Sequence, residues 1–102
     1  VFSGQLEKSR QATTLANLRS GYAEATVELF DEDLSGTSVT VDKTINITTK
    51  SGDFDKLDAD EINALPFKCT LPQAVGEIVM TYTFELTDGE VTKVTVAKKA
   101  GG

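Results

Sequence analysis

Histidine and tryptophan are absent from this 102-residue chain, and cysteine occurs once and proline twice. Without histidine there is no Ser-His or Cys-His pair and no His-bound metal, and the usual general base near neutral pH is missing. Carboxylates are plentiful but fall in a loop and at a helix end, with no apolar pocket to raise one pKa, so no enzyme activity and no cofactor are expected. The lone Cys69 cannot close an intrachain disulfide. Its basic neighbours are too few for a reactive thiol, and a buried structural role is expected. Basic residues are scarce too: 10 Lys+Arg against 16 Asp+Glu give a net charge of −6 and a pI near 4.5. That balance argues against nucleic acid or an anionic lipid surface as partner, since both require a basic face. No apolar run of about eighteen residues is present to span a bilayer. The sequence begins Val1-Phe2, with no Met and no leader, and reads as a processed or truncated product.

What remains is ordinary globular material, 39% hydrophobic and 25% charged, enough for one modest core. Residues 1–31 read as one long amphipathic helix. With about 100° per residue, Leu18, Tyr22, Ala25, Thr26 and Leu29 gather within roughly a quarter-turn of Leu15. Ala12, Ala16 and Ala23 form a smooth flank, and Gly21 is expected as a tolerated interior residue costing about 1 kcal/mol. Phe2 and Leu6 do not fit the stripe and project roughly opposite it. Up to about Gln11 the helix is expected to have no sheet of its own to serve. Asp31-Glu32-Asp33-Leu34-Ser35-Gly36 ends it.

Residues 32–66 read as loop, strand and short helix. Val39, Val41, Ile45 and Ile47 alternate, interrupted by Lys43, as one strand or two short ones broken near Asp42-Lys43. Asp58 and Glu61 have capping-box spacing for a helix over about residues 59–65, stopped by Pro66. Asp53, Asp55, Asp58, Asp60 and Glu61 raise the question of calcium, but the spacing departs from the EF-hand at the fifth, sixth and twelfth positions. A solvated loop with a helix cap is the favoured reading, and no metal is expected. Asn46-Ile47-Thr48 matches the N-glycosylation triplet and reads as strand composition.

Residues 67–99 read as antiparallel sheet. Phe67, Cys69 and Leu71 alternate, then Ile78, Met80, Tyr82, Phe84 and Leu86, with Val94 and Val96 returning after Asp88-Gly89. A three-residue loop, Thr87-Asp88-Gly89, is expected, with Tyr82 opposite Val94 and Met80 opposite Val96. The whole chain is thus expected to be a single α+β domain. Its long helix packs on an antiparallel sheet of three to four strands, through Leu15, Leu18, Tyr22, Leu29, Met80, Tyr82, Phe84, Val94 and Val96.

A cystatin-like inhibitor would share that element order, but Gln73-Ala74-Val75-Gly76 places glycine one residue too early for that family's Gln-x-Val-x-Gly loop. The helix itself, from Phe2-Ser3-Gly4-Gln5-Leu6 through Ala12-Thr13-Thr14-Leu15-Ala16 to Tyr22-Ala23-Glu24-Ala25, resembles the second half of the long N-terminal helix of type IV pilins and pseudopilins. The likeness is closest to those of Gram-positive bacteria. It covers about Val1 to Phe30; beyond that only the element order agrees.

The resemblance implies a structural subunit of a cell-surface filament serving adhesion, motility or DNA uptake, with pseudopilin of a secretion or competence apparatus as the alternative. It implies a membrane-anchored precursor whose apolar helix half precedes Val1, a methylated mature N-terminus, and partners that are further copies or related pilins. Membrane contact would come only through the missing segment. Val1, Phe2, Leu6 and Arg10 would then pack against neighbouring helices. The plainer reading of Phe2 and Leu6 is that they are exposed at a chain end. A free-standing extracellular ligand-binding module is the remaining alternative. It would expose aromatics on a concave patch, whereas most of the seven here fall at expected core positions.

Overall fold

No proline precedes Pro66, and Ala, Leu, Glu, Gln and Arg dominate residues 5–29, so a long helix is locally favoured there. In the computed structural model, which describes residues 3–100, α1 spans Ser3–Leu29. Its buried positions are Gln11, Thr14, Leu15, Leu18, Gly21, Ala25 and Leu29, with Tyr22 half-buried. These steps of three and four define a stripe centred roughly 60° from Leu15. The stripe therefore includes polar residues that an apolar wheel passes over. After Leu29 the amides of Phe30, Asp31 and Glu32 bond back three residues, at 3.3, 3.1 and 3.0 Å, which tightens and ends the helix. Asp33 Oδ1 then accepts the Ser35 N–H at 3.0 Å to turn the chain.

The other elements are β1 (Ser38–Ile47), α2 (Ala59–Asn63), β2 (Lys68–Cys69), β3 (Gly76–Thr87) and β4 (Glu90–Lys98), in a four-stranded sheet of order β1-β3-β4-β2. Two pairings are antiparallel, but β2 runs parallel to β4, with Lys68 beside Thr95 and Cys69 beside Val96. The sheet is therefore mixed, which corrects the purely antiparallel expectation. The free edge left by the β3–β4 hairpin is β4, and the chain leaving α2 enters it in the β4 direction for two residues only.

β1 is one continuous strand and does not break at Lys43. Lys43 is tolerated on the helix-facing side because its ammonium reaches back to Glu28 and, at 3.7 Å, to Glu24 of α1. The stem covers apolar surface while the charge stays at the rim.

The hairpin also differs from expectation. Asp88 and Gly89 both have positive φ (53° and 79°), as a two-residue type I′ turn requires, and Thr87 pairs with Glu90. A bulge between Glu85 and Leu86 then leaves Thr92 unpaired, its hydroxyl donating to the Glu85 carbonyl at 3.3 Å. The extra residue shifts the register so that Phe84 faces Val94 and Tyr82 faces Val96, while Met80 faces Lys98. Tyr82 and Phe84 thus still meet valines, by a bulge instead of a longer loop, while Met80 does not.

The core lies between α1 and one sheet face. Leu18, Met80, Tyr82, Phe84, Ile47 and Val96 are essentially inaccessible, and Leu15, Leu29 and Val94 are buried beside them. Tyr22 meets Phe67 in a tilted pair and stacks on Phe84, with ring centroids 5.5 and 6.2 Å apart. Phe54 from the acidic loop, Phe67 and Leu71 are buried in the same core cluster. Short helix α2 is capped by Asp58, whose Oδ1 accepts the Asp60 N–H at 3.1 Å.

Gly21 is a contact requirement and more than a tolerated residue. A methyl group there would overlap the Tyr82 hydroxyl and Ile45 Cδ1, while one at Gly4 would meet nothing. The Tyr82 hydroxyl lies across this gap and donates to the Leu18 carbonyl at 2.7 Å. Gly21→Ala should therefore lower stability by about 1–3 kcal/mol, because overpacking outweighs the gain in helix propensity. Gly4→Ala should instead be neutral or stabilising by up to about 1 kcal/mol. Urea unfolding of the two variants checks the opposite signs, and equal behaviour would show that Gly21 does not set this approach.

Candidate functional site

The first third of α1 carries the densest polar chemistry in the molecule. Gln11 is fully buried, and its amide is satisfied from all sides. Its Nε2 donates to Glu7 Oε2 at 2.7 Å and Asp55 Oδ1 at 2.8 Å, with Ser51 Oγ at 3.3 Å, and its Oε1 accepts the Lys56 N–H at 2.9 Å. One turn on, the Thr14 and Thr48 hydroxyls lie 2.9 Å apart. Thr48 donates its N–H to Thr14 Oγ1 at 3.0 Å and its hydroxyl to the Arg10 carbonyl at 2.7 Å. The buried Thr49 hydroxyl donates to Glu7 Oε2. Among the described residues no buried side-chain nitrogen or oxygen lacks a partner. From Glu7 to Gln11 the helix is held by the loop that follows β1, through hydrogen bonds and not by a strand of the sheet.

Beside this lock lies an open groove of about 760 Å³, lined by Glu7, Arg10, Ile47, Lys50, Val75 and Gly76 among others. Arg10 is exposed and takes part in no ion pair among the described residues; the same holds for Lys50. Glu7 is the one carboxylate of the lining, and the Thr49 and Gln11 bonds already hold its pKa below the ordinary carboxylate value.

The opposite side of α1 is different. Ser9, Ala12, Thr13, Ala16, Ser20, Ala23 and Val27 occupy a sector of roughly 100°, all exposed and none charged. Leu6 lies at its border, 43% exposed, and Val27 is 68% exposed. Val1 and Phe2 lie outside the described residues. Of the four filament-packing candidates, Leu6 thus borders the outer face, and Arg10 is turned to the groove.

The five acidic loop residues do not converge. Asp53 Oδ1 accepts the Phe54 N–H at 2.7 Å, Asp55 is bound by Gln11, and Asp58 caps α2, while Asp60 and Glu61 point outward from its first turn. Among the described residues no three metal-ligating side chains are placed to share an ion. Cys69 is half-buried, and burial pushes its thiol pKa up to about 12, the opposite of nucleophilic activation. Among the described residues no helix is long and apolar enough to cross a membrane.

No protein-family model, curated protein or solved structure matches this chain.

Sequence reasoning missed Glu7, Gln11 and Thr14 because it sought apolar periodicity alone. The signal was there in their spacing, which continues the Leu18, Ala25 and Leu29 stripe at steps of three and four. Lys50 and Val75 carried no local signal, since only the fold brings them together.

Glu7 gives the lock a pH dependence of definite sign. Its folded pKa lies below the ordinary 4.5, so its contribution is complete above that value and is lost as pH falls through the depressed folded one. Glu7→Gln should melt below wild type at pH 7, with the gap narrowing and closing as pH falls below 4.5. Thermal melts from pH 7 to pH 2 check this, and a gap of constant size would rule out a titrating Glu7 as its source.

Proposed function

We propose that this chain is a structural subunit of a type IV pilin-like filament, acting by assembly and performing no chemistry. The observation that carries the reading is the uncharged outer face of α1, from Leu6 through Ala12, Ala16 and Ala23 to Val27, which no element of the described chain covers. An isolated surface helix with one face already committed to a sheet would be expected to carry charge on the other. Small side chains there suit close approach of a second helix. The likeness of residues 1–30 to the pilin helix supports the same reading, as does the order of a long helix followed by a sheet with a terminal hairpin. The fibre would present the sheet outward, with its acidic balance keeping the surface soluble. Arg10, facing the groove, is left out of the helix-packing set in this reading.

Two measurements test it. The coding sequence before Val1 should encode about twenty apolar residues behind a short basic leader ending in glycine. A start codon immediately before Val1 would sink the proposal. In the full subunit, Ala16→Arg with Ala23→Arg should change the stability of the folded domain by no more than about 0.5 kcal/mol each, as exposed positions do. The same pair should abolish fibres in electron micrographs. Normal fibres from that variant would move the packing face elsewhere.

A further inference from the structure

We infer that the groove beside the start of α1 receives the acidic C-terminal end of α1 from a second copy of this chain, in a head-to-tail contact. This rests on the reading of the chain as a repeating subunit and adds to helix packing a second, electrostatic contact. The groove offers two cations, Arg10 and Lys50, around an apolar wall of Ile47 and the 49%-exposed Val75. Neither cation is ion-paired among the described residues, as is also true of Lys8, Arg19, Lys56, Lys68 and Lys98; what sets Arg10 and Lys50 apart is that both line the same groove. At the other end of α1, Phe30 is 76% exposed and is followed directly by Asp31, Glu32 and Asp33, none of them ion-paired among the described residues. An apolar knob followed by three acids thus matches an apolar-walled groove flanked by two bases.

The two features cannot meet within one molecule. Nineteen helical steps from Arg10 to Leu29 put about 28 Å of rigid axis between them. Any pairing is therefore between copies, and a knob and groove on opposite ends form a heterologous contact that repeats along a line unless it closes into a ring. A small anion could be held by Arg10 and Lys50 alone, but it would leave Val75 and Phe30 in water.

Charge reversal decides the matter. At about 20 mM salt, where the screening length is roughly 20 Å, wild-type protein should self-associate in sedimentation velocity, with weight-average size rising with concentration. Arg10→Glu with Lys50→Glu should stay monomeric, and so should Asp31→Lys with Glu32→Lys and Asp33→Lys. An equimolar mixture of the two variants should associate again, because each then carries the end that fits the other's groove. Wild type that stays monomeric up to about 1 mM, variants that associate as wild type does, or a mixture that stays monomeric would each overturn the contact.

Inorganic phosphate that shifts the Val75 and Gly76 amide signals in a chain that remains monomeric would mark a small-anion site and overturn it as well. Should a reversal variant unfold, disulfide trapping gives a second decision in a Cys69→Ser background. Lys50→Cys mixed with Asp33→Cys should yield the mixed dimer at least about fivefold over either self-pair, and a statistical mixture would overturn the contact. The coding sequence before Val1 tests the filament reading separately, so failure of one is distinguishable from failure of the other.

Discussion

The spacing between α1 and the sheet is set where the Tyr82 hydroxyl crosses the missing side chain of Gly21 to reach the Leu18 carbonyl. Tyr82 is wholly buried at the centre of β3, so its ring is held from below by the strands and its oxygen from above by the helix. Burial pushes its pKa upward, which keeps the hydroxyl a donor throughout the ordinary pH range. Everything else on the interface follows that distance. Ile45 packs against the same gap, Leu18, Met80 and Phe84 belong to the same buried cluster, and Lys43 at the rim pairs with Glu24 and Glu28. The sheet could not move closer without Gly21 losing its purpose, nor further without stranding a buried phenol.

From that point the helix is fixed in two directions by different chemistry. Toward Leu29 the contact is apolar and aromatic, with Tyr22 stacked on Phe84 and tilted against Phe67. Toward Glu7 it is a chain of hydrogen bonds through Gln11, Thr14, Thr48 and Thr49. Such a network is stabilising only when complete, and the Gln11 amide, with its donors and its acceptor all used, completes it. The loop that supplies those partners also carries Lys50, and it thereby builds one wall of the groove. The wall of the groove and the internal hydrogen-bond network are joined in one short segment.

The long helix, the capped short helix and the alternating strands were legible because each rests on local periodicity or capping chemistry. What could not be read locally was decided by tertiary contact. The two-residue parallel pairing of Lys68 and Cys69 depends on which strand edge is left open, and nothing in that dipeptide encodes it. The bulge at Thr92 has no strong residue signature, yet it moves Phe84 from facing Lys93 to facing Val94. Lys43 left open whether β1 was one strand or two, because its two carboxylates lie in another element. Of the proposed site, Leu6 and the alanine flank could be placed from the wheel. The groove needed the fold, since Arg10, Lys50 and Val75 are far apart in sequence.

The division of α1 into an apolar half and a polar half has a thermal consequence. Apolar contact weakens on cooling, because its driving force near room temperature is largely entropic and carries a large heat capacity. Hydrogen bonds among Gln11, Glu7 and the threonines expose little apolar surface when they open, so they add little to that heat capacity. Cooling therefore loosens the helix at its Leu29 end relative to its Glu7 end, and warming reverses the balance. A single rigid rod is thus anchored by two fasteners, one to the sheet and one to a loop, with different temperature responses.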